Sequence, residues 1–317
     1  MKTAFFASDP IALGAIEMLH TSKDFPLVCV VSNPDRPKGR GNKLSPNEVS
    51  AWAIEKGVEL LRPEGGVDDA TVSRLRELGV ELIVVMAYGH MLKENVLNYG
   101  EYPCLNLHGS ILPKYRGASP IESAIALGEK ETGVSLMKIV KKMDAGAVCD
   151  VEKIAIADDD TSVSLRQKFC SASAVLLERN LNAIKNKTAV FVEQDEAQAT
   201  YTRKFDKSDA VLDFTANAKT ICNRIRSLGF ATFERNGEII KVKDANYKLF
   251  DNTKECGKVL EASENGLCVA CADGAVIFKS LQKPCAKMMS ARDFFAGYKI
   301  ECGEILKSVA YKNILKC

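Results

Sequence analysis

Apolar positions in the first half of the chain fall into short runs separated by amphipathic stretches. Residues 3–7, 27–31, 81–87 and 104–108 are runs of strand length. Residues 10–19 read as a helix with Ser8 or Asp9 as N-cap and Pro10 in its first turn. A second helix is expected over 46–56, capped by Ser45, and a third over 69–78, closed by Gly79. Strand and helix alternate, which predicts an α/β unit with a mostly parallel sheet covered on both faces. Strands follow over 133–139 and 148–156, and Thr161 then caps a long helix reaching Asn186.

Beyond that helix the pattern changes. Residues 190–208 are polar and lack long apolar periodicity, so they read as a linker between an α/β unit over 1–189 and a smaller unit over 209–317. The smaller unit shows short alternating runs at 239–242, 257–260, 266–270 and 275–281, divided by glycine or Asx turns, and then a short helix over 290–296. That is the pattern of a small β-barrel.

Composition narrows the function classes. The 317 residues are 46% hydrophobic and 26% charged, enough apolar material for two cores. A formal net charge of +2 leaves no chain-wide basic footprint, so any nucleic-acid contact must come from local patches. Asp9 and Pro10 interrupt the N-terminal apolar stretch before it reaches signal length, and no run approaches the roughly 20 residues that span a bilayer. A cytoplasmic protein without a membrane partner is expected. The 11 cysteines, an odd number, sit mostly in apolar runs, as Cys29 and Cys222 do, which suits buried reduced thiols. Cys268 and Cys271 form a C-x-x-C, but no second pair or nearby histidine completes a zinc site, and no metal is expected.

The candidate chemistry lies in Asn106-Leu107-His108-Gly109-Ser110-Ile111-Leu112-Pro113. Asn106 and His108 are two apart on a strand and so share a face. They stand at its carboxyl end, the edge where open α/β sheets bind ligands. The turn Lys142-Met143-Asp144-Ala145-Gly146 is placed to bring Asp144 to the same edge. Together these residues resemble the folate-dependent formyltransferase family, which carries an Asn, a His two residues later, an S-L-L-P-type loop and an Asp about 35 residues on. Ile111 is the only departure in the loop. The resemblance implies a Rossmann-like catalytic domain, catalytic roles for Asn106, His108 and Asp144, 10-formyltetrahydrofolate as co-substrate, and a cis peptide at Leu112-Pro113. It places the folate around Met86, Ala87, Tyr88, Gly89, Met91, Leu92, Ser110, Leu112, Pro113 and Val140.

These residue types suit formyl transfer. An oxyanion develops when a neutral amine attacks the formyl carbon, and aligned N–H donors must meet it. Asn106 offers an uncharged donor. His108 offers a charged one when protonated, a form that Asp144 beside it would favour. Asp144, directly or through a water, is the expected proton relay.

A branch of the family that acts on methionyl-tRNA is resembled further. The stretch Asn33-Pro34-Asp35-Arg36-Pro37-Lys38-Gly39-Arg40-Gly41-Asn42-Lys43-Leu44 is similar to its P-D-R-P-x-G-R-G-x-K-L loop. Tyr201-Thr202-Arg203-Lys204-Phe205 is similar to its linker motif, and the second unit to its OB-like RNA-binding domain. The resemblance implies methionyl-initiator-tRNA as partner, with Arg36, Lys38, Arg40, Lys43, Arg203, Lys204 and Lys207 on the RNA, in a monomeric protein. Two stretches depart from the pattern: Ala7-Ser8-Asp9-Pro10 replaces a Gly-Thr/Ser-Pro turn, and Ser227-Leu228-Gly229-Phe230-Ala231 lacks the usual Trp and Pro. Transfer to an amino-sugar nucleotide or other small amine is the alternative. An inactive RNA-binding scaffold would not need the intact Asn, His and Asp, and a Rossmann oxidoreductase would want a G-x-G-x-x-G that the chain lacks.

Overall fold

The computed structural model describes residues 1–38, 43–251 and 254–316. The chain divides into two compact units. The first comprises Met1–Gly117, Glu131–Ala155 and Leu165–Tyr201, and the second Ala118–Lys130, Ile156–Ser164 and Thr202–Cys317. The division thus falls inside the segment read as a linker, and residues 190–201 belong with the first unit.

Seven strands build the first unit's sheet: β1 (Thr3–Phe6), β2 (Leu27–Val31), β3 (Glu59–Leu61), β4 (Leu82–Val85), β5 (Leu105–His108), β6 (Glu131–Lys138) and β7 (Val148–Ala155). Their order is β7-β6-β5-β4-β1-β2-β3. The five strands β3, β2, β1, β4 and β5 are parallel, and β6 runs antiparallel to both neighbours. Every residue of β1 and β4 is buried, as parallel strands covered on both faces require. Ala4, Phe6, Cys29, Val31, Ile83 and Val85 share one core. The intervening Phe5, Val30 and Val84 point the other way and are equally buried.

Besides the single turn Glu94–Leu97, the α-helices are α1 (Leu13–Thr21), α2 (Glu48–Lys56), α3 (Asp69–Glu77), α4 (Pro120–Ala126), α5 (Ser162–Lys185), α6 (Ala218–Leu228) and α7 (Ala291–Gly297). Asp9 accepts the Ile11 N–H at 3.0 Å and opens a 3₁₀ turn that leads into α1. The cap of α2 is Asn47, not Ser45, because Asn47 Oδ1 accepts the Ser50 N–H at 2.9 Å. Ser45 instead pairs with Arg36 in a short antiparallel hairpin formed by Arg36–Lys38 and Lys43–Ser45.

The second unit is built on β8 (Ala231–Arg235), β9 (Glu238–Leu249), β10 (Val259–Ser263), β11 (Gly266–Cys271) and β12 (Gly274–Gln282). They pair antiparallel in the order β8-β9-β12-β11-β10. Ile221 and Ile225 of α6 and Phe294 of α7 complete its core with Phe233, Ile240, Val242, Val269 and Phe278. The unit expected to hold short strands and one short helix therefore also holds a second, longer helix, α6. Helix α4 packs with it, and Ser227 Oγ donates to the Glu122 carbonyl at 2.7 Å. Cys268 and Cys271 form no disulfide and lie on opposite faces of β11, and burial pushes Cys271 up to about 11.

Candidate active site

The strand order reverses at β1, which lies between β4 and β2. A crevice opens at the carboxyl ends of strands where the order reverses in this way. Loops from both strands meet there: the Ser8 N–H donates to the Ala87 carbonyl at 3.2 Å, and Asn33 Nδ2 donates to the Tyr88 carbonyl at 3.1 Å. Positive φ at Ala87 and Gly89 gives the 86–89 loop its tight course.

Strand β5 projects Asn106 and His108 to one side. Asn106 is half-buried, and its side-chain amide makes no hydrogen bond among the described residues. It remains available to a substrate oxygen. His108 is buried, and one of its ring nitrogens is held. Nε2 lies 3.0 Å from the Tyr115 carbonyl, and since a carbonyl only accepts, Nε2 carries a proton. Nδ1 faces Asp144 Oδ2 at 3.7 Å, beyond hydrogen-bond distance. The same carboxylate oxygen accepts the Gly117 N–H at 2.8 Å. Tyr115 and Gly117, two residues apart, therefore fix the imidazole and the carboxylate together.

Asp144 stands at φ 50°, a left-handed conformation that Asp tolerates better than most residues. Its turn is compressed. A Cβ on Gly146 would lie 1.9 Å from the Lys138 carbonyl oxygen, so only glycine fits. The loop after His108 is pinned from β6. Ser135 Oγ accepts the Leu112 N–H at 3.1 Å and donates to the Ser110 carbonyl at 2.7 Å, while Ser110 Oγ donates to the Lys114 carbonyl at 2.6 Å. The Leu112-Pro113 peptide is cis, as expected from the motif. Ser135 was invisible in the sequence because a serine in an apolar run carries no spacing signal.

Residues 1–181 match the formyl transferase family, and residues 204–299 match the formyl transferase C-terminal domain. The chain belongs to the formyl transferase family. It is 34% identical to the methionyl-tRNA formyltransferase of Sulfurihydrogenibium sp., over 96% of this chain and 99% of that one. It is 35% identical to the methionyl-tRNA formyltransferase of Dictyoglomus thermophilum, again over 96% and 99%. Its fold is like that of the Helicobacter canadensis N-formyltransferase solved with folinic acid and dTDP-3-aminofucose. The TM-score is 0.64 at 19% identity, covering 89% of this chain and 99% of that chain. As a formyl transferase the protein is a group-transfer enzyme, as its motifs implied.

The remaining expected residues divide by surroundings. Met86, Tyr88 and Leu112 are buried and shape the crevice rather than line its surface. Burial, with Asp68 adding to it, pushes the Tyr88 phenol up to about 12, so it stays neutral. Ala87, Gly89, Met91 and Val140 are exposed, Leu92 and Pro113 are half-buried, and Ser110, on the loop after β5 with Pro113, is fully buried. Met91, Val140 and Met143 are exposed apolar side chains on the loops that follow β4 and β6.

The basic residues also separate. Arg36 and Lys43 are exposed on the hairpin, while Arg40 lies outside the described residues. The hairpin's root is hydrogen-bonded: Asn47 Nδ2 donates to Ser32 Oγ at 2.9 Å and to the Asn33 carbonyl at 3.3 Å. A small cavity of ≈ 200 Å³ lies there among Ser8, Asn33, Pro34, Arg36, Ser45 and Asn47. Asp35, the loop's one acid, is paired with Arg62 at 2.7 Å and does not neutralise the loop's own cations. Lys204 and Lys207 are exposed. Arg203 is not free. Its guanidinium grips Asp209, with Nη1 at 2.7 Å from Oδ2, and Nε donates to the Asn313 carbonyl at 2.8 Å. Its role in this arrangement is to hold the second unit's own chain.

No helix among the described residues is long and apolar enough to cross a membrane. No described group of three or more His, Cys, Asp or Glu side chains is placed to hold a metal ion.

Proposed function

We propose that the enzyme transfers the formyl group of 10-formyltetrahydrofolate to the α-amino group of methionyl-initiator-tRNA. The observation that carries this reading is the joint placement of the unengaged Asn106 amide, His108 and Asp144, in a chain that aligns end to end with methionyl-tRNA formyltransferases. The folate supplies the formyl carbon and leaves with its nitrogen reprotonated. Asn106 donates to the oxygen on which charge develops, and His108, whose Nε2 is taken by the Tyr115 carbonyl, donates to it from Nδ1 when protonated, a contribution worth about 100- to 1,000-fold per donor in related acyl-transfer sites. Asp144, held off His108 by 3.7 Å and fixed by the Gly117 N–H, accepts the proton that the attacking amine loses and passes it towards the departing nitrogen. The apolar set at Met91, Val140 and Met143 receives the pterin, with the loop 86–89 offering backbone groups to its polar edge.

The acceptor RNA lies against the cations Arg36, Lys38, Arg40 and Lys43 of the stretch 33–44, with Lys204 and Lys207 as further phosphate contacts. Arg203 is left out because Asp209 already occupies it. The reading is tested by supplying the purified protein with 10-formyltetrahydrofolate and, separately, methionyl-initiator-tRNA, uncharged initiator tRNA and an amino-sugar nucleotide. Formyl transfer to the charged tRNA alone supports it. Transfer to the sugar nucleotide in preference overturns it and favours the small-amine reading.

A further inference from the structure

We propose that Gln194 is a positioning residue for Asp144, and that it acts with Thr200 and the buried Arg116 as a brace behind the reacting edge. The inference rests on the proposed roles of His108 and Asp144 and concerns a segment that the sequence pattern presents only as a linker.

The geometry is specific. Gln194 Nε2 donates to the Asp144 carbonyl and to the Gly146 carbonyl, each at 2.8 Å. Its Oε1 accepts from Arg116 Nε at 3.0 Å and from Arg116 Nη2 at 2.8 Å. Both amide protons and both lone pairs are therefore used, so the amide has one orientation and cannot flip without losing all four bonds. Those bonds hold the two carbonyls that flank the strained Asp144 turn. Arg116 is fully buried, and its remaining donors reach Tyr201 Oη at 2.9 Å and Glu196 Oε1 at 3.0 Å. Glu196 continues to Lys142 at 2.6 Å, two residues before Asp144.

Thr200 completes the brace from the other side. Its Oγ1 accepts the Tyr115 N–H at 2.8 Å, and its carbonyl accepts the Arg116 N–H at 2.8 Å. Tyr115 stands at φ 59°, and its carbonyl is the partner of His108 Nε2. Residues 115–117 thus carry three functions in sequence: the imidazole's acceptor, the brace's cation and the carboxylate's donor. Residues 194–201 fix that run and the Asp144 turn against each other.

Substitution separates this role from plain structural support. Gln194→Glu keeps an acceptor for Arg116 but has no N–H for the carbonyls of Asp144 and Gly146. If Gln194 only satisfies the buried guanidinium, glutamate serves as well. If it positions Asp144, kcat falls at least tenfold while KM for folate and for the acceptor stays within about threefold, the pattern of a group that acts only in the transition state. A kcat within twofold of the parent enzyme overturns the proposal. Thr200→Val and Thr200→Ser give an independent arm should Gln194→Glu fail to fold. Valine removes the bond to Tyr115 N–H and should lower kcat at least fivefold, and serine should restore it to within twofold. Equal turnover for valine and threonine overturns the role given to Thr200.

A third readout needs no turnover. His108 is one of three histidines, so its ¹⁵N resonances are readily assigned in the full-length protein. The Nδ1 resonance should move in Gln194→Glu as Asp144 shifts away, and an unmoved resonance overturns the proposal. If the parent enzyme formylates none of the acceptors, the functional reading fails, while this resonance still decides the brace.

Discussion

Replacing Gly146 with alanine tests how closely the rate depends on the Asp144 turn. The added methyl would lie 1.9 Å from the Lys138 carbonyl oxygen and 2.9 Å from its carbon. Both are backbone atoms of β6, and the Lys138 N–H is itself bonded to the Ala147 carbonyl at 2.9 Å, so the strand cannot give way without losing a rung. Relief requires the turn to move by on the order of 1 Å, and a misplacement of that size costs on the order of 100-fold in rate. Overpacking of this kind destabilises by about 1–3 kcal/mol, which a two-unit chain of this size should survive. The assay is single-turnover formylation with saturating folate and charged tRNA, with folate binding and urea unfolding measured on the same preparation. Gly297→Ala is the control, since a Cβ there meets nothing within 4 Å. The expected result is a folded Gly146→Ala protein that binds folate but transfers formyl roughly 100-fold more slowly. A folded variant within threefold of the parent rate would refute the argument that the turn's position sets the rate.

Three further outcomes are expected. Ser135→Ala removes the partner of the Leu112 N–H and the Ser110 carbonyl and should lower unfolding free energy in urea by about 1–3 kcal/mol, with a loss below 0.5 kcal/mol counting against the pinned loop. The Glu196 carboxyl is held at about 2 by hydrogen bonds from Arg116 and then Lys142, below its ordinary 4.5. Because the folded value is depressed, the stabilisation is present above the ordinary carboxylate range and lost as pH falls towards 2. The Tm difference between the parent and Glu196→Gln should therefore be constant from pH 6 to 8 and vanish on acidification, and a difference that grows in acid would contradict the pairing. Lys43→Ala should reduce the slope of log formylation rate against log salt by up to about one while leaving folate affinity unchanged, and an unchanged slope would remove Lys43 from the RNA contact.

What could be read from the sequence followed burial. The strand 27–31 was legible to the residue because a parallel strand buried on both faces leaves an unbroken apolar run. Helix α6 was missed although Ala218, Ile221, Cys222 and Ile225 have helical spacing. The positions between them are polar, so the stripe was present in the sequence; what the sequence does not show is that Asn223, Arg224 and Ser227 are buried as well. The cap of α2 was misplaced because Ser45 and Asn47 are both good caps, and only the pairing of Ser45 with Arg36 decides between them. Helix α4 was unassigned, and its packing with α6 is a tertiary fact with no local signature.

The site divides in the same way. Asn106, His108 and Asp144 could be found because they occur at motif spacing on one strand and one turn. Gln194 and Thr200 could not. They sit in a polar segment without periodicity, and their hydrogen bonds reach the Asp144 turn and residues 115–116, some 50 to 85 positions away. Arg116 reads as a surface cation yet is fully buried, because four acceptor contacts from the 194–201 segment replace its water.

The account stands most directly on one measurement: transfer of isotopically labelled formyl from 10-formyltetrahydrofolate to methionyl-initiator-tRNA, in single turnover, by the parent enzyme and by Asn106→Ala. Asn106 makes no side-chain hydrogen bond within the described protein, so its removal should leave stability and folate affinity unchanged. It should slow transfer by about 100-fold or more, the scale of losing one donor to a developing oxyanion. Label arriving on methionyl-tRNA at a rate within threefold of the parent would contradict the claim that this strand edge carries the reaction.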